Sequence, residues 1–147
     1  MLKEVITNDE IESFGKYKVE LIKYHQEYAN KLGLQDQMVE KYNINNAIRH
    51  IKEKDYYQFL IINDNNAIGI LEYQITKSDI DNKDILYLKN IYIKEEYRGK
   101  GIGKKIIKEL QKLNYRIELE CWYGMPSNEL YKSLGAKEIK TRYILEN

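Results

Sequence analysis

One stretch of the sequence restricts the fold more than any other, because a strand pattern, a glycine-rich turn and a helix pattern follow one another in it. Residues 85–93 form an apolar, β-rich run, and Arg98-Gly99-Lys100-Gly101-Ile102-Gly103 begins shortly after it. Helical spacing then continues to about residue 113, with Lys residues on the opposite face. A glycine turn between a strand and a helix N-terminus is a backbone arrangement for holding phosphate.

Composition predicts one soluble domain over residues 1–147. The 24 basic and 23 acidic residues leave a formal charge of +1, which gives no reason to expect nucleic acid or a membrane as partner. No apolar run reaches the length of a membrane helix, and residues 1–6 lack a signal-peptide pattern. Cys121 is the single cysteine, so no intramolecular disulfide is possible, and we expect a reducing, cytoplasmic setting.

The N-terminal part predicts a short strand over residues 2–7 and two helices. The first helix is expected over residues 9–31, with Asn8 or Asp9 as its cap and Gly33 as its stop. A second helical pattern covers residues 36–54, where the region 43–46 is poor helix material.

The pattern then changes to strands. Residues 57–62 and 67–75 predict a hairpin, and residues 79–84 a polar loop. Its acids suggest a calcium loop, but Lys83 and Asn90 stand where ligands are needed, so we expect no metal site. Strands at 85–93 and 117–122 flank the long helix and form a right-handed βαβ unit. A short helix from Pro126 or Ser127 to Gly135 and a strand over 137–145 complete an α+β domain, whose mixed sheet is mostly antiparallel with a central parallel pair and flanking helices.

The glycine turn suits an anion because glycines let a ligand approach backbone N–H groups. A helix dipole contributes about 0.3–1 kcal/mol, and each charge-assisted amide bond about 1.5–3 kcal/mol. Exposed lysines pairing with phosphate would add only about 0.2–1 kcal/mol, so the backbone should dominate. A dinucleotide fingerprint would need glycine at Lys104, and a Walker loop would need glycine at Arg98 and a hydroxyl residue at Lys105.

The remaining pattern, Arg-x-x-Gly-x-Gly between a strand and a helix, resembles the acetyl-CoA signature of the GNAT superfamily of N-acetyltransferases. Residues 130–135 are similar to the later Tyr-x-x-x-Gly helix of that family. The resemblance implies that main-chain groups hold acetyl-CoA as cosubstrate. The pyrophosphate would lie on the amides of residues 98–104, and the pantetheine arm would pair with residues 91–93, entering where the strands at 86–93 and 117–122 splay apart. The implied cofactor-binding residues are Ile91, Tyr92, Ile93, Arg98, Gly99, Lys100, Gly101, Ile102, Gly103 and Lys104.

Tyr131 occupies the family position that can protonate the departing thiolate. A phenol with a pKa near 10 can donate to a thiolate whose acid has a pKa near 8.5. Packing as one of 14 tyrosines is the alternative, and the Tyr-x-x-x-Gly context favours the acid. The family often has asparagine where this chain has Gly124, and Asn128 is too close to Tyr131 to replace it, so whether Asn128 contacts the cofactor stays open.

The acceptor amine must lose a proton, so we expect a carboxylate, or a water held by one, near the thioester. Glu72 and Glu120 are the candidate bases, with Glu118 as a further acid on the face of Glu120 and Trp122; each could equally be a solvent-facing acid. Together with the acids of residues 79–84 they suggest a cationic amine, on a small molecule or a peptide. We interpret Cys121 as a buried core thiol, and His25 and His50 as ordinary helix residues.

The leading hypothesis is direct acetyl transfer from acetyl-CoA to a primary amine, by a monomer or a homodimer. The alternative is a non-catalytic CoA-binding or interaction module on the same fold. A binder of nucleotide phosphate is a third possibility.

Overall fold

The computed structural model describes residues 1–35 and 53–147. The helix predicted over 36–54 falls outside this part except for its last two positions, and His50 falls outside it too. The elements are β1 (Leu2–Glu4), α1 (Asn8–Lys31), β2 (Tyr56–Asn63), β3 (Asn66–Lys77), β4 (Asp84–Ile93), a short 3-10 helix (Glu95–Tyr97), α2 (Ile102–Gln111), β5 (Arg116–Leu119) and α3 (Ser127–Ser133).

The described strands form one five-stranded sheet in the order β1-β2-β3-β4-β5. Successive strands from β1 to β4 pair antiparallel, whereas β4 and β5 pair parallel. The helix α2 connects that parallel pair, as a crossover connection requires. The predicted α+β class with a mixed sheet and one βαβ unit is therefore confirmed.

The first helix starts from a different cap than the two predicted from the sequence. Thr7, not Asn8 or Asp9, is the N-cap: its hydroxyl accepts the Glu10 amide at 3.2 Å while the Glu10 carboxylate reaches back to Thr7. This reciprocal arrangement satisfies two donors at once, so it is favoured over a single Asx cap. Gly33 follows the helix with φ 74°, as its predicted role as a stop requires.

The β2–β3 hairpin turns at Asp64 and Asn65, whose φ angles are 49° and 64°. Two successive left-handed residues match the right-handed twist of the strands that they join. The predicted hairpin is confirmed.

The sheet buries a different helix layer on each face. On one face α1 packs Ile11, Phe14 and Leu21 against Leu60 and Ile70. On the other face α2 packs its apolar stripe against the sheet, and α3 joins at the periphery. Burying one such aliphatic or aromatic side chain stabilises the fold by about 1.5–3 kcal/mol. Packing of the two layers therefore holds α1 on one face of the sheet and α2 on the other. Residues of the second face include Ile68, Leu71, Leu86, Leu88, Ile102, Ile106, Ile107 and Leu110.

Gly69 brings β3 and β4 unusually close. A Cβ atom placed on Gly69 would lie 1.9 Å from the carbonyl oxygen of Tyr92. Any side chain here would require the two backbones to separate.

The strand predicted over residues 137–145 is wrong. Residues 136–147 adopt no helix or strand, and Tyr143 and Leu145 are 86% and 99% exposed. Alternating residues supply strand propensity, but a strand also needs a paired neighbour, and no described strand pairs with β5 on its far side. Within the described ranges, no helix is both long enough and apolar enough to cross a membrane.

Candidate active site

The site is organised by a point where two strands part. β4 and β5 pair from Ile85 opposite Arg116 to Leu88 opposite Leu119, and β5 then ends while β4 continues to Ile93. Residues 89–93 of β4 therefore have β3 on one side only among the described strands. We call the unpaired side of this segment the open edge.

A β-bulge lies where the open edge begins. Glu72 pairs with Asn90, but Tyr73 pairs with Leu88, so Lys89 is an extra residue on β4. A bulge bends its strand and redirects the adjacent side chains and amides, and bulges are frequent beside active sites.

Main-chain groups of β4 are available on the open edge. The Lys94 amide donates to the Ile68 carbonyl at 2.8 Å and therefore faces β3. Because neighbouring residues of a strand face alternate sides, the amides and carbonyls of Ile91 and Ile93 face the open edge. The Ile93 carbonyl accepts a hydrogen bond from Arg98 Nε at 2.6 Å.

The glycine turn, residues 98–103, leads from β4 to the N-terminus of α2. Gly99 and Gly101 have φ angles of 74° and 81°, and a Cβ atom at either would meet nothing within 4 Å. The left-handed angles explain why these two residues are glycines, and the space beside them leaves room for a ligand. Gly103 differs, because its Cβ would lie 3.3 Å from Leu130 of α3, so this glycine allows close packing of two helices.

The first turn of α2 exposes backbone donors. Gly101 is the N-cap and supplies no side-chain acceptor, and the first turn contains no acid. These amides and the helix dipole favour an anion. Lys100 and Lys104 are exposed beside the turn or in the first helical turn.

Tyr131 lies on α3 and packs at the edge of the core formed with α2. Burial raises the pKa of its phenol, and the nearby Cys121 raises it further. The phenol therefore stays protonated at neutral pH. Tyr131 also lines a cavity of about 280 Å³, which no residue of the glycine turn lines; its other walls are Ile107, Gln111, Tyr115, Arg116, Ile117, Leu119, Leu134, Gly135 and Ala136.

Glu72 is fully buried on the α1 face of β3. One carboxylate oxygen accepts from Lys18 of α1 and from Asn90 Nδ2 at 2.6 Å, and the other accepts from Gln58 Nε2 at 2.8 Å. We call these four side chains the Glu72 cluster. Burial alone raises the pKa of Glu72, but the Lys18 charge and the three hydrogen bonds outweigh it and hold that pKa below its usual value. Glu72 is therefore an ionised carboxylate with both oxygens engaged.

Glu118 and Glu120 lie at the C-terminal end of β5, near Tyr87 of β4. Glu118 accepts hydrogen bonds from Ser78 and Arg116, whereas Glu120 is exposed beyond the end of the strand. Burial raises the pKa of Tyr87, and the charges of Glu120, Asp79 and Glu118 raise it further. The predicted strand over 117–122 ends early, at Leu119, so it does not carry Glu120 and Trp122.

The acids predicted for the polar loop each pair with a basic side chain: Asp79 with Lys140, Asp81 with Arg116 and Asp84 with Lys77. Asp81 accepts two hydrogen bonds from the Arg116 guanidinium, at 2.7 and 2.8 Å, and this pairing lowers the pKa of Asp81 to about 2. No cluster of metal-ligating side chains occurs in residues 1–35 and 53–147.

Of two residues that precede Tyr131, Cys121 differs from the core thiol that the sequence predicts, and Asn128 makes its contacts within its own loop. Cys121 is half-buried rather than part of the core, because β5 ends before it, and its thiol lies 3.0 Å from the Ser127 hydroxyl. Asn128 Nδ2 donates to the carbonyls of Trp122 and Met125 at 3.1 and 2.9 Å, which shapes the loop before α3. His25 lies on α1, as expected.

The chain belongs to the acetyltransferase (GNAT) domain family, whose model matches residues 55–135. Over 80 residues it is 39% identical to the thialysine N-epsilon-acetyltransferase of Bos taurus, in a match that covers 50% of this chain and 46% of that protein. It is also 39% identical over 61 residues to the Sus scrofa protein of the same name, covering 37% and 35%. The matched part is thus less than half the length of these relatives.

Solved structures share the fold at low identity. A mutant of the BH1408 protein from Bacillus halodurans superposes with a TM-score of 0.82 and 14% identity, covering 100% of this chain and 99% of that one. An aminoglycoside N-acetyltransferase in complex with CoA gives a TM-score of 0.71 and 14% identity, covering 100% and 93%. These likenesses show the fold alone.

Sequence reasoning missed the bulge at Lys89, the Asn90 amide and the contacts of the Arg98 side chain. A signal for the first two was present, since Lys89 and Asn90 are adjacent polar residues that interrupt an apolar strand. The third carried no signal, because the partners of Arg98 include a residue on α1.

Proposed function

We propose that this chain transfers an acetyl group from acetyl-CoA to a primary amine by direct attack. The observation that carries the proposal is the continuity of the open edge with the glycine turn. The amides of Ile91 and Ile93 and the Ile91 carbonyl face the open edge, while the Ile93 carbonyl is held by Arg98. This segment leads, within one short connection, to the amides at the start of α2, which have no side-chain cap. A cosubstrate with amide groups along one arm and a pyrophosphate at its end matches that order of donors and acceptors.

The residues present fit this cosubstrate. The pantetheine arm would pair with main-chain groups of Ile91 and Ile93 on the open edge as an added strand, in the manner of β-augmentation, while the main chain of Tyr92 between them faces β3. The pyrophosphate would lie against the amides from Gly99 to Lys104, where the turn leaves space beside Gly99 and Gly101. The Arg98 amide, which the resemblance implies as a further donor, already donates to the Glu95 carbonyl at 3.1 Å and is left out of this set. Lys100 and Lys104 would contribute the orienting charges.

The reaction needs one proton removed and one supplied. The amine nitrogen forms a bond to the acetyl carbon, the carbon–sulfur bond breaks, and the sulfur leaves as a thiolate. We assign the donated proton to the Tyr131 phenol, whose raised pKa keeps it protonated at neutral pH. The amine gives its own proton to a carboxylate or to a water that a carboxylate holds.

Glu120 is our first candidate for that carboxylate. It is exposed near Tyr87, whereas Glu72 has both oxygens engaged inside the Glu72 cluster. Glu72 is the second candidate, and its use would require the cluster to open. A lower kcat in Glu120→Gln, with the KM for acetyl-CoA nearly unchanged, is the expected sign of the first assignment.

We propose a small-molecule amine that carries positive charge as the acceptor. The names of the relatives and of a structural neighbour point to thialysine and to aminoglycosides, which are amines of this kind. Glu120 is exposed near Tyr87 and favours a cation there, whereas the nearby Glu118 and Asp79 already pair with Arg116 and Lys140. A peptide amine is the other class to be tested.

One observation favours the alternative of a non-catalytic CoA-binding module. Glu72, the one carboxylate that is fully buried in residues 1–35 and 53–147, has both oxygens engaged by structural partners. A chain that kept the glycine turn while its acids served only the fold would bind CoA without consuming the thioester.

The test has two stages. Calorimetry with acetyl-CoA and with ATP first measures whether the folded chain binds the thioester and whether ATP competes. Release of free thiol is then followed with thialysine, an aminoglycoside and a lysine-containing peptide. We expect acetyl-CoA binding, weak ATP competition and thiol release with a small-molecule amine. Binding without thiol release supports the non-catalytic module, and no binding by folded protein contradicts both.

A further inference from the structure

The side chain of Arg98 is held between two elements of the fold. Its guanidinium carbon lies 4.8 Å from the ring centroid of Tyr24 on α1 and 5.2 Å from that of Tyr92 on β4. A guanidinium placed on aromatic faces is attracted by their quadrupoles, and its planar shape suits this stacking.

The same side chain also anchors the turn to the strand. Arg98 Nε donates to the Ile93 carbonyl at 2.6 Å, which joins the first residue of the glycine turn to the last residue of β4. The segment between them contains the short 3-10 helix Glu95–Tyr97, whose last turn is closed by the Arg98 amide on the Glu95 carbonyl at 3.1 Å. Arg98 therefore closes the segment with both its main chain and its side chain.

Tyr92 is itself fixed from α1. Its hydroxyl donates to Glu20 at 3.0 Å, and its ring centroid lies 6.2 Å from that of Tyr17. The surfaces that hold the Arg98 guanidinium thus belong to the packed interface of α1 with the sheet, and they direct its Nε to the strand.

We infer that Arg98 is a positioning residue, which sets the distance between the glycine turn and the open edge, and that its side chain does not pair with a phosphate of the cosubstrate. This inference rests on the proposed function. The Arg98 guanidinium then interacts with β4 and α1 of the protein itself. The phosphates of the cosubstrate are bound by the backbone amides and by Lys100 and Lys104.

The experiment compares two acetyl donors, acetyl-CoA and S-acetylpantetheine, which lacks the phosphates. In Arg98→Gln we expect KM to rise by the same factor, about tenfold, for both donors, with kcat nearly unchanged. Lys100→Gln is the matched control: it should raise KM for acetyl-CoA alone. As a control for folding, we expect the melting temperatures of both variants to stay near that of the unmodified chain.

A second variant and a binding measurement keep the test independent of turnover. Tyr24→Leu removes one ring from the guanidinium and retains the charge, and should weaken both donors equally, by about threefold. Calorimetry with CoA and with pantetheine should repeat the pattern of the KM values. A loss in Arg98→Gln confined to acetyl-CoA or CoA, or no loss with either donor, would overturn the inference. Failure of the unmodified chain to bind CoA would instead contradict the proposed function.

Discussion

Two polar regions of β4 differ in how fully their hydrogen bonds are completed within the protein. The Glu72 cluster, reached through Asn90, is buried and engages both carboxylate oxygens with three other side chains. Along the open edge, amides and carbonyls of β4 have no neighbouring strand to pair with. After the glycine turn, the first amides of α2 have no side-chain cap. Completed buried groups support the fold, and uncompleted exposed groups are available to a ligand. Substitutions in the two regions should therefore change different quantities.

The largest expected effect is on stability, at Glu72. Glu72→Ala leaves the Lys18 ammonium buried without its carboxylate, and removing one partner of a buried ion pair costs about 3–5 kcal/mol. Urea unfolding should show this loss. The exposed pair of Lys112 and Glu109 is the control, and Glu109→Ala should cost less than about 1 kcal/mol. If both variants lost the same unfolding free energy, the contrast between the buried and the exposed ion pair would be wrong.

The same carboxylate should make stability depend on pH in acid. Its pKa is lower in the folded chain than in the unfolded one, so its contribution is complete above the unfolded value of about 4.3 and is lost as pH falls through the folded value. Unfolding free energies measured from about pH 6 down to about pH 3 should fall more steeply for the unmodified chain than for Glu72→Gln. Parallel curves would count against an ionised Glu72.

The next effect concerns turnover, at Tyr131. Tyr131→Phe removes the proposed proton donor but keeps the ring in the core, so turnover should fall about 100-fold while acetyl-CoA affinity stays nearly constant. Tyr115→Phe is the control, because Tyr115 lines the same cavity and has no assigned chemistry. Unchanged turnover in Tyr131→Phe, under conditions where chemistry limits the rate, argues against the acid role.

A smaller effect is expected at the glycine turn. Gly101→Ala introduces backbone strain of about 1–2 kcal/mol at a left-handed position and turns the adjacent amides, so CoA affinity should fall about tenfold. Gly33→Ala is the matched control, since Gly33 is also left-handed with open space beside it and ends α1. Calorimetry should show weaker CoA binding only in the first variant, whereas thermal melts should show similar destabilisation in both.

The smallest effect should come from polar groups that are completed but exposed. Arg116 is engaged by Asp81 and Glu118 at the surface, so Arg116→Gln should reduce the unfolding free energy only slightly, and by much less than Glu72→Ala. The reduction should shrink further in high salt, as measured by urea unfolding at two ionic strengths. If Arg116→Gln reduced the unfolding free energy as much as Glu72→Ala, burial would not explain why ion pairs differ in their contribution to stability.

The sequence predicted those parts of the fold whose signals are local. Glycines of the turn, the apolar stripe of α2 and the paired turn residues Asp64 and Asn65 each indicate structure from their immediate neighbours. Side chains that meet across the fold could not be predicted in this way: Lys18 and Glu72 are 54 residues apart, and nothing in their local sequence indicates the pairing. The terminal strand failed for the related reason that its pattern was local but its required partner was not.

The residues of the candidate site also fall into those that local sequence predicts and those that depend on distant contacts. In the proposed site, Ile91, Ile93 and residues 99–104 would bind the cosubstrate through main-chain groups, so their arrangement follows from a strand and a helix that the sequence indicates. The environments of Glu72 and Arg98 depend on α1, which packs from the other end of the sequence, and only the structure reveals them.

The close approach at Gly69 gives the sheet a point of low tolerance to substitution. Tyr92, whose carbonyl lies where a Gly69 side chain would begin, belongs to the segment that presents the open edge on its other side. The position of the edge is therefore fixed from behind, by a residue that we do not expect to touch a ligand. Sequence variation in chains with this arrangement should be restricted at such a position as strongly as at the glycines of the turn, although the reason is the spacing of two backbones.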